Sequence, residues 1–374
     1  MIPNDTGIRN PYYRDVIDYA FAQIVVTSEN TSANSVNYFL NNVMNADGLN
    51  RFSAGTFVDG FDTDNAIYYR NTFFQFVSNT PIQTGLRDIN EFKLIHLATG
   101  NLIRIYACHL KAGSAPADAA QRNAEIATLR NVTNALPAGS NFIVCGDMNT
   151  YSNTEPCYLS LLQDNITDDG NVIDPFNMPG IWSQPIYSAY HTQSTRSVSF
   201  GGGASGGLDD RFDLILYSGA IAQAGGMQYI SNSCTAIGND GYHLNDDINL
   251  QPNTAVFPYI ADALYFASDH LPVSAVFTLQ SPTGLSENND SRPFEVIYHN
   301  GTHTLEVETQ VHFTKAVEFC IYDSKGSLIW NGSLSDVKKA TTVFYFNLPE
   351  LKPGMYIFTS YCNGQKFSNK IMVM

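Results

Sequence analysis

Positive charge is scarce in this 374-residue sequence: 20 Lys and Arg stand against 35 Asp and Glu, a formal net charge of −15. Such an excess of acid excludes a passive, non-specific coat for nucleic acid, because that kind of binding neutralises phosphates with many basic side chains. It leaves room for an enzyme that meets phosphates through metal ions and a few local Arg residues. Cysteine is sparse too. The six residues (Cys108, Cys145, Cys157, Cys234, Cys320 and Cys362) include no C-x-x-C pair and no zinc-ligand spacing, so a disulfide scaffold is excluded. Cys108 and Cys145 lie inside strand-like runs, where cysteine behaves as a small apolar residue. No apolar run approaches the about 18 residues of a membrane-spanning helix. The opening MIPNDTGIRNPYYRDVIDYA also lacks the basic, apolar, small-residue order of a secretion signal.

Hydrophobic residues make up 44% and aromatics 12%, ample for a packed core, and the length predicts two domains. The basic residues change type along the chain. Residues 1–280 hold ten Arg and two Lys, whereas residues 281–374 hold one Arg and seven Lys. Between the two regimes lies LQSPTGLSENNDSRP, polar and rich in Pro, Ser, Asn and Gly, as linkers are. The expected organisation is a domain over 1–280, a linker over 281–292 and a domain over 293–374.

The first domain mixes strands and helices. AQIVVTSE and DNAIYYR read as strands, and FKLIHLATGNLIRIYACHL as a hairpin turning at Thr99-Gly100-Asn101. PADAAQRNAEIATLRNVTNAL has helical spacing behind a Pro. NFIVCG is a buried strand, Glu155 to Leu162 a helix, and FDLILYS and ASDHLPVSAVFTL further strands. The run GGGASGG at 201–207 lacks the Lys and Ser/Thr of a phosphate-binding P-loop and reads as a flexible loop. The second domain alternates apolar and polar residues with regularly spaced Gly turns, the pattern of a small antiparallel β-sandwich.

Polar residues recur where the strands end. Glu29 ends AQIVVTSE, His109 ends LIRIYACH, Asp147 and Asn149 follow NFIVCG, Asp213 opens DLILYS, and Asp269 and His270 precede LPVSAVFTL. Singly, each is an ordinary cap, turn or core residue. Together, carboxylates, an amide and two histidines at strand ends could hold a hard divalent cation and activate a water. Arg87 and Arg122 are candidate phosphate contacts or, equally, surface ion pairs. Asp62 and Asp64 could pair with His109 or serve as turn residues. His96, His191 and His243 take no role.

The ordered set VVTSE, CHLKAG, IVCGDMN, DDRFDLIL and SDHLPV resembles the motifs of the endonuclease/exonuclease/phosphatase superfamily over roughly residues 10–280. That resemblance implies a deoxyribonuclease I-like α/β four-layer sandwich, two packed mixed β-sheets flanked by helices. It also implies divalent-metal-dependent hydrolysis of phosphate esters, with Mg²⁺, Mn²⁺ or Ca²⁺ as the cofactor. By the same resemblance, Glu29 ligates the metal and Asp269 stands on the metal side. Asp147 and Asn149 position the water and the phosphate. His270, oriented by Asp213, is the base or a phosphate contact, and His109 contacts the scissile phosphate.

The family pattern begins with a strand ending in Asn, which this sequence lacks. MIPNDTGIRNPYY reads as the loop after such a strand, and Asn4 and Asn10 stand in the wrong context to replace it. Amino-terminal truncation is the expectation, since it would remove a secretion signal as well. At the other end, LKPGMYIFTSYCNGQKFSNKIMVM resembles the carboxy-terminal sorting domain of the type IX (Por) secretion system, through Pro353-Gly354-x-Tyr356 and Asn363-Gly364. The resulting expectation is a monomeric, secreted or cell-surface phosphoesterase, a nuclease acting on extracellular nucleic acid, with the type IX secretion machinery as a partner. The alternatives are a phosphodiesterase for small or lipid-linked phosphates, and a non-enzymatic surface protein that retains the fold.

Overall fold

The computed structural model describes residues 7–223, 226–280, 294–299, 302–309, 317–323, 327–334, 342–352, 354–362 and 365–373. The expected linker, Asn4, Pro353 and the Asn363-Gly364 turn lie outside the described residues. The chain divides into two compact units, Met1–Leu285 and Ser286–Met374.

In the first unit α1 (Asn10–Ala20) has Pro11 in its first turn, where a missing N–H is harmless, and stops on Phe21 in the left-handed region. The β-branched run of β1 (Ile24–Asn30) follows, then α2 (Ala33–Phe39), β2 (Phe52–Ala54) and β3 (Asp64–Arg70). β4 (Phe74–Ile82), β5 (Ile89–His96), β6 (Leu102–His109), α3 (Pro116–Asn134), β7 (Phe142–Asp147), α4 (Pro156–Leu162), β8 (Val172–Ile173) and β9 (Asp213–Ser218) complete the middle. Last come β10 (Met227–Tyr229), β11 (Thr235–Ala236), α5 (Pro258–Ala267), β12 (Val273–Ser274) and β13 (Phe277–Leu279).

Six strands form one mixed sheet in the order β4-β5-β6-β7-β9-β8. β6 and β7 run parallel, which the crossover through α3 makes possible, and the other pairs are antiparallel. One face packs on α3 and α4, where Tyr106, Cys108, Phe142, Val144, Leu214 and Leu216 meet Ile126, Leu129, Tyr158 and Leu161. The other face carries Ile105, Ile143, Cys145 and Tyr217 against a second strand layer that includes Ile67 of β3, Ile24 and Val26 of β1, and Phe277 and Leu279 of β13. Behind that layer, α2 lays Val36 and Phe39 on Ala66 and Tyr68, while α5 packs with Val16 of α1 and Ala236 of β11.

Among the described residues, this second layer consists of three antiparallel pieces, β1-β3-β2, β10-β13 and β11-β12. β1 pairs, among those residues, with β3 alone, and every residue of its apolar half is half-buried, whereas all of β3 is buried. The segment expected as one strand after His270 is likewise broken at Ala275-Val276, because β12 and β13 pair with different partners.

The second unit holds two antiparallel sheets. One is β14 (Phe294–His299), β15 (Thr304–Thr309) and β18 (Thr342–Asn347), in the order β14-β15-β18. The other joins β16 (Val317–Asp323), β17 (Leu328–Leu334), β19 (Gly354–Cys362) and β20 (Gln365–Val373), in the order β17-β16-β19-β20. Phe294, Leu305 and Val307 of the first share an apolar cluster with Phe319, Ile321, Phe358 and Ile371 of the second. Cys108, Cys145, Cys157 and Cys234 are buried free thiols. Burial raises the pKa of all four, to about 12 for Cys145 and Cys234.

Arg122, expected as a phosphate contact or a surface ion pair, is neither; it is 1% exposed. Its Nε and Nη2 donate to Glu155 Oε2 (3.1 and 2.7 Å), and its Nη1 donates to the carbonyls of Lys111 (2.8 Å) and Gly113 (2.7 Å). Glu155 in turn accepts from the Tyr151 amide at 2.7 Å. The guanidinium therefore ties α3 to the loop after β6 and to the loop after β7 as an internal brace.

Two outcomes follow from this packing. R122A strands a buried carboxylate and is expected to lower unfolding free energy by about 3–5 kcal/mol in urea titrations, with R122K recovering part. Unchanged stability would show that the brace carries no load. Gly146 has φ 125°, and a Cβ there would lie 2.1 Å from the Cys108 carbonyl oxygen of the neighbouring strand. G146A should therefore cost about 2–4 kcal/mol through strain and overpacking, read as a lower denaturation midpoint. A midpoint equal to wild type would contradict the close approach.

Candidate active site

The site is set by strand register. His109, the last residue of β6, lies opposite Asp147, the last of β7, and Asp147 lies opposite Asp213, the first of β9. The two-residue period sends all three side chains the same way. Ile105 and Ala107, Ile143 and Cys145, and Ile215 and Tyr217 face the second strand layer, so His109, Asp147 and Asp213 face it too. Sequence order had placed these residues at strand ends; the register brings them into one row.

His270 joins the row from the loop after α5. Its Nδ1 lies 2.7 Å from Asp213 Oδ2. Thr192 fixes the geometry: its Oγ1 accepts from the amides of Phe212 (3.1 Å) and Asp213 (3.2 Å), and its carbonyl accepts from Leu271 (2.7 Å). The Gln193 carboxamide closes on His270 Nε2 at 2.5 Å. A protonated imidazole donates there, which calls for the oxygen end of the amide. Burial alone would lower the pKa of His270, but the charge and hydrogen bond of Asp213, with Asp147 and Asp269 nearby, raise it to about 10. Asp213 responds in the opposite sense: burial works against its charge, and His270 outweighs burial and holds its carboxyl below the usual range.

His109 is the opposite case. Its Nε2 lies 3.6 Å from Asp147 Oδ2, and its Nδ1 is buried with no hydrogen-bond partner among the described residues. Burial, then Arg87 and His270, drive its pKa down to about 3, so the ring is neutral. Burial pushes the Asp147 carboxyl up, with Asp213 and Glu29 adding to the effect against His270. Asp147 Oδ1 accepts from the Asn149 amide (2.9 Å), and Asn149 Nδ2 donates to the Leu110 carbonyl (3.1 Å). Asn149 has φ 48°, a left-handed conformation that Asn tolerates better than most residues. This turn keeps its backbone amide on Asp147 and its carboxamide on the Leu110 carbonyl.

Glu29 is exposed at the end of β1, at a bulge, with φ 60°. Its charge reaches Asp147. Beneath it, Ser28 Oγ donates to Asn65 Oδ1 (2.9 Å), while Asn65 Nδ2 donates to Asn90 Oδ1 (3.0 Å) and the Ala107 carbonyl (3.1 Å). This buried amide network locks the end of β1 onto β3, β5 and β6.

The remaining candidates take the following places. Asp269, expected on the metal side, accepts from the Ala204 amide at 2.6 Å, and the backbone of Gly203 lies against its carboxylate. It belongs to the glycine loop. Arg87 lies beside His109 but pairs with Asp62 (2.9 Å) and donates to the Leu110 carbonyl (3.3 Å). Asp62 is thus taken by Arg87, and Asp64 accepts from the Gly60 amide (2.8 Å), so neither pairs with His109. His96, His191 and His243 bond to Thr99, to the Trp182 carbonyl, and to Asp240 with the Leu250 carbonyl.

Among the described residues, no three His, Cys, Asp or Glu side chains gather closely enough to hold a metal ion. The donors do not make a closed protein cage. A single exposed carboxylate, Glu29, fits the open and largely hydrated coordination of Mg²⁺, which needs one or two carboxylates and completes its shell with water and phosphate.

Residues 6–270, more than half of the chain, match the endonuclease/exonuclease/phosphatase family. Solved structures that the chain matches include an endonuclease/exonuclease/phosphatase from Beutenbergia cavernae at 15% identity and TM-score 0.40, covering 97% of this chain and 94% of that one. Another is D. rerio TDP2 complexed with single-strand DNA product, at 15% identity and TM-score 0.49, covering 72% and 91%. A third is the human Nocturnin catalytic domain with bound sulfate, at 15% identity and TM-score 0.42, covering 73% and 86%. No curated protein matches. On the strength of the match over residues 6–270, the chain belongs to the endonuclease/exonuclease/phosphatase family.

Proposed function

We propose that the protein is a secreted phosphoesterase that hydrolyses phosphodiester bonds of nucleic acid with the help of a divalent cation, Mg²⁺ or its substitutes Mn²⁺ and Ca²⁺. The observation that carries this reading is the His270–Asp213 pair, 2.7 Å apart, standing in one row with Asp147 and His109. Asp213 fixes the tautomer and keeps the proton on His270, so the imidazole is a cation beside the row, and its Nε2–H, held by the Gln193 carboxamide, is the donor that a phosphate oxygen would take over from Gln193. That cation suits a phosphate oxygen whose charge grows towards the pentacovalent state. Asp147, the adjacent acceptor, orients a water on the other side, and the Asn149 amide holds the carboxylate in place. Neutral His109 offers one further ring N–H to the phosphate without adding charge. Glu29 would hold the cation, whose chemistry is to polarise the phosphoryl oxygen and carry developing negative charge.

The test is nicking of plasmid DNA with Mg²⁺ or Mn²⁺, with and without EDTA. Wild-type cleavage is expected to stop with EDTA, and H270A to lose about 10³-fold or more in rate while D213N loses less. Cleavage that survives both EDTA and H270A would sink this assignment of the site.

The secretion reading attaches to residues 293–374, which carry a Gly354-x-Tyr356 strand start and a basic-then-apolar last strand. Deleting residues 286–374 in the native host should move the enzyme from medium or surface into the cell fraction. Undiminished export of the deletion variant would rule the sorting role out.

A further inference from the structure

The glycine run at 201–207 has no part in the chemistry above, yet it is neither loose nor remote. It forms the tip of an excursion whose stem is Gln193, the residue that touches His270 and bridges to Asp210. The stem is closed by the Ser194 amide on the Gly207 carbonyl (2.9 Å) and by the Gly206 and Gly207 amides on the Arg196 carbonyl (3.1 Å each). The tip is pinned to Asp269, the residue before His270, by the Ala204 amide. The excursion is therefore an arm held against the site at two points.

The carbonyls along the tip are taken in alternation from behind. Arg9 Nη2 donates to Phe200 O (2.6 Å), Arg196 Nη2 to Gly202 O (3.3 Å), and Ser194 Oγ to Ala204 O (3.1 Å). None of these peptides is cis. In a trans peptide the carbonyl and the following N–H point in opposite directions. Holding the oxygens of residues 200, 202 and 204 inward turns the N–H groups of Gly201, Gly203 and Ser205 outward. All three residues are exposed, and among the described residues none of these amides has a protein acceptor. Ser197 to Gly207 carries no charged side chain of its own; the charges that touch it are the Arg9 and Arg196 guanidiniums on its carbonyls and the Asp269 carboxylate on Ala204. Backbone amides presented in this way bind anionic oxygen, and glycine lets the ligand approach closely.

We infer that the arm Ser194–Leu208 is a substrate-recognition element, in which the amides of Gly201, Gly203 and Ser205 bind phosphate oxygens of the polynucleotide strand flanking the scissile bond. The inference rests on the phosphoesterase reading above and adds to it that the substrate is a chain longer than one phosphodiester. Asp269 is a positioning residue, since it acts through the arm.

Two variants test it in the full chain. S205P removes one N–H donor. G203A places a Cβ 2.7 Å from the Asp269 carboxylate, at φ 82°, and displaces the tip. With a short single-stranded DNA as substrate, each should raise KM about tenfold, the size of one charge-assisted hydrogen bond, and S205P, which does not touch Asp269, should do so with kcat held. Bis(4-nitrophenyl) phosphate, too short to reach the tip, should lose far less. Equal losses on the two substrates, or an unmoved KM for the DNA, would overturn the inference. Fluorescence anisotropy of labelled DNA on H270A protein reads the same contact without turnover. Binding about tenfold weaker in H270A/S205P than in H270A supports the arm even if the hydrolytic reading fails, and equal binding overturns the arm.

Discussion

Everything at the site depends on three strand ends being level. The hydrogen-bonded ladders of β6, β7 and β9 align His109, Asp147 and Asp213, and the pleat turns all three to one face. A slip of one residue in either ladder would send the acids to the helix-packed face. The other features support this row. Gly146 allows the β6 backbone to come close just before Asp147, Arg122 braces the two loops that leave β6 and β7, and Thr192 joins the start of β9 to the loop that brings His270.

Placing two carboxylates and two imidazoles side by side, partly out of water, is electrostatically expensive unless charges pair. Here one strong pair forms, His270 with Asp213, and the remaining groups adjust around it. His109 gives up its proton, and Asp147 becomes a weaker acid. Two similar rings in one row thereby acquire different charge, and the cause is that only one of them has a carboxylate on its Nδ1.

The sequence revealed the residues whose position along a strand defines their role. Glu29, His109, Asp147, Asn149, Asp213 and His270 each interrupt or border an apolar run, and such polarity is visible without coordinates. The β5–β6 hairpin and the helix after β7 were legible for the same reason. Arg122 was not: it sits in a helix among Ala, Gln and Asn, and its partner Glu155 lies far along the chain, so its burial leaves no local trace. The same holds for Asp269, whose partner is a backbone amide of the glycine loop, and for Gln193 and Thr192, which act through contacts with distant segments. The glycine run itself read as flexible because composition records conformational freedom, while the bonds that remove that freedom come from Arg9, Arg196, Ser194 and Asp269. The single strand expected after His270 is two, because pairing partners change between β12 and β13.

The buried thiols have a use of their own. Cys108 and Cys145 lie on adjacent central strands, Cys157 on α4 and Cys234 near β11, each unpaired and shielded, with its thiolate suppressed by burial. A thiol reagent can therefore label them only when the surrounding layer opens. The natural cysteines form a built-in set of reporters, and the order in which they become alkylated would trace which part of the catalytic unit breathes first.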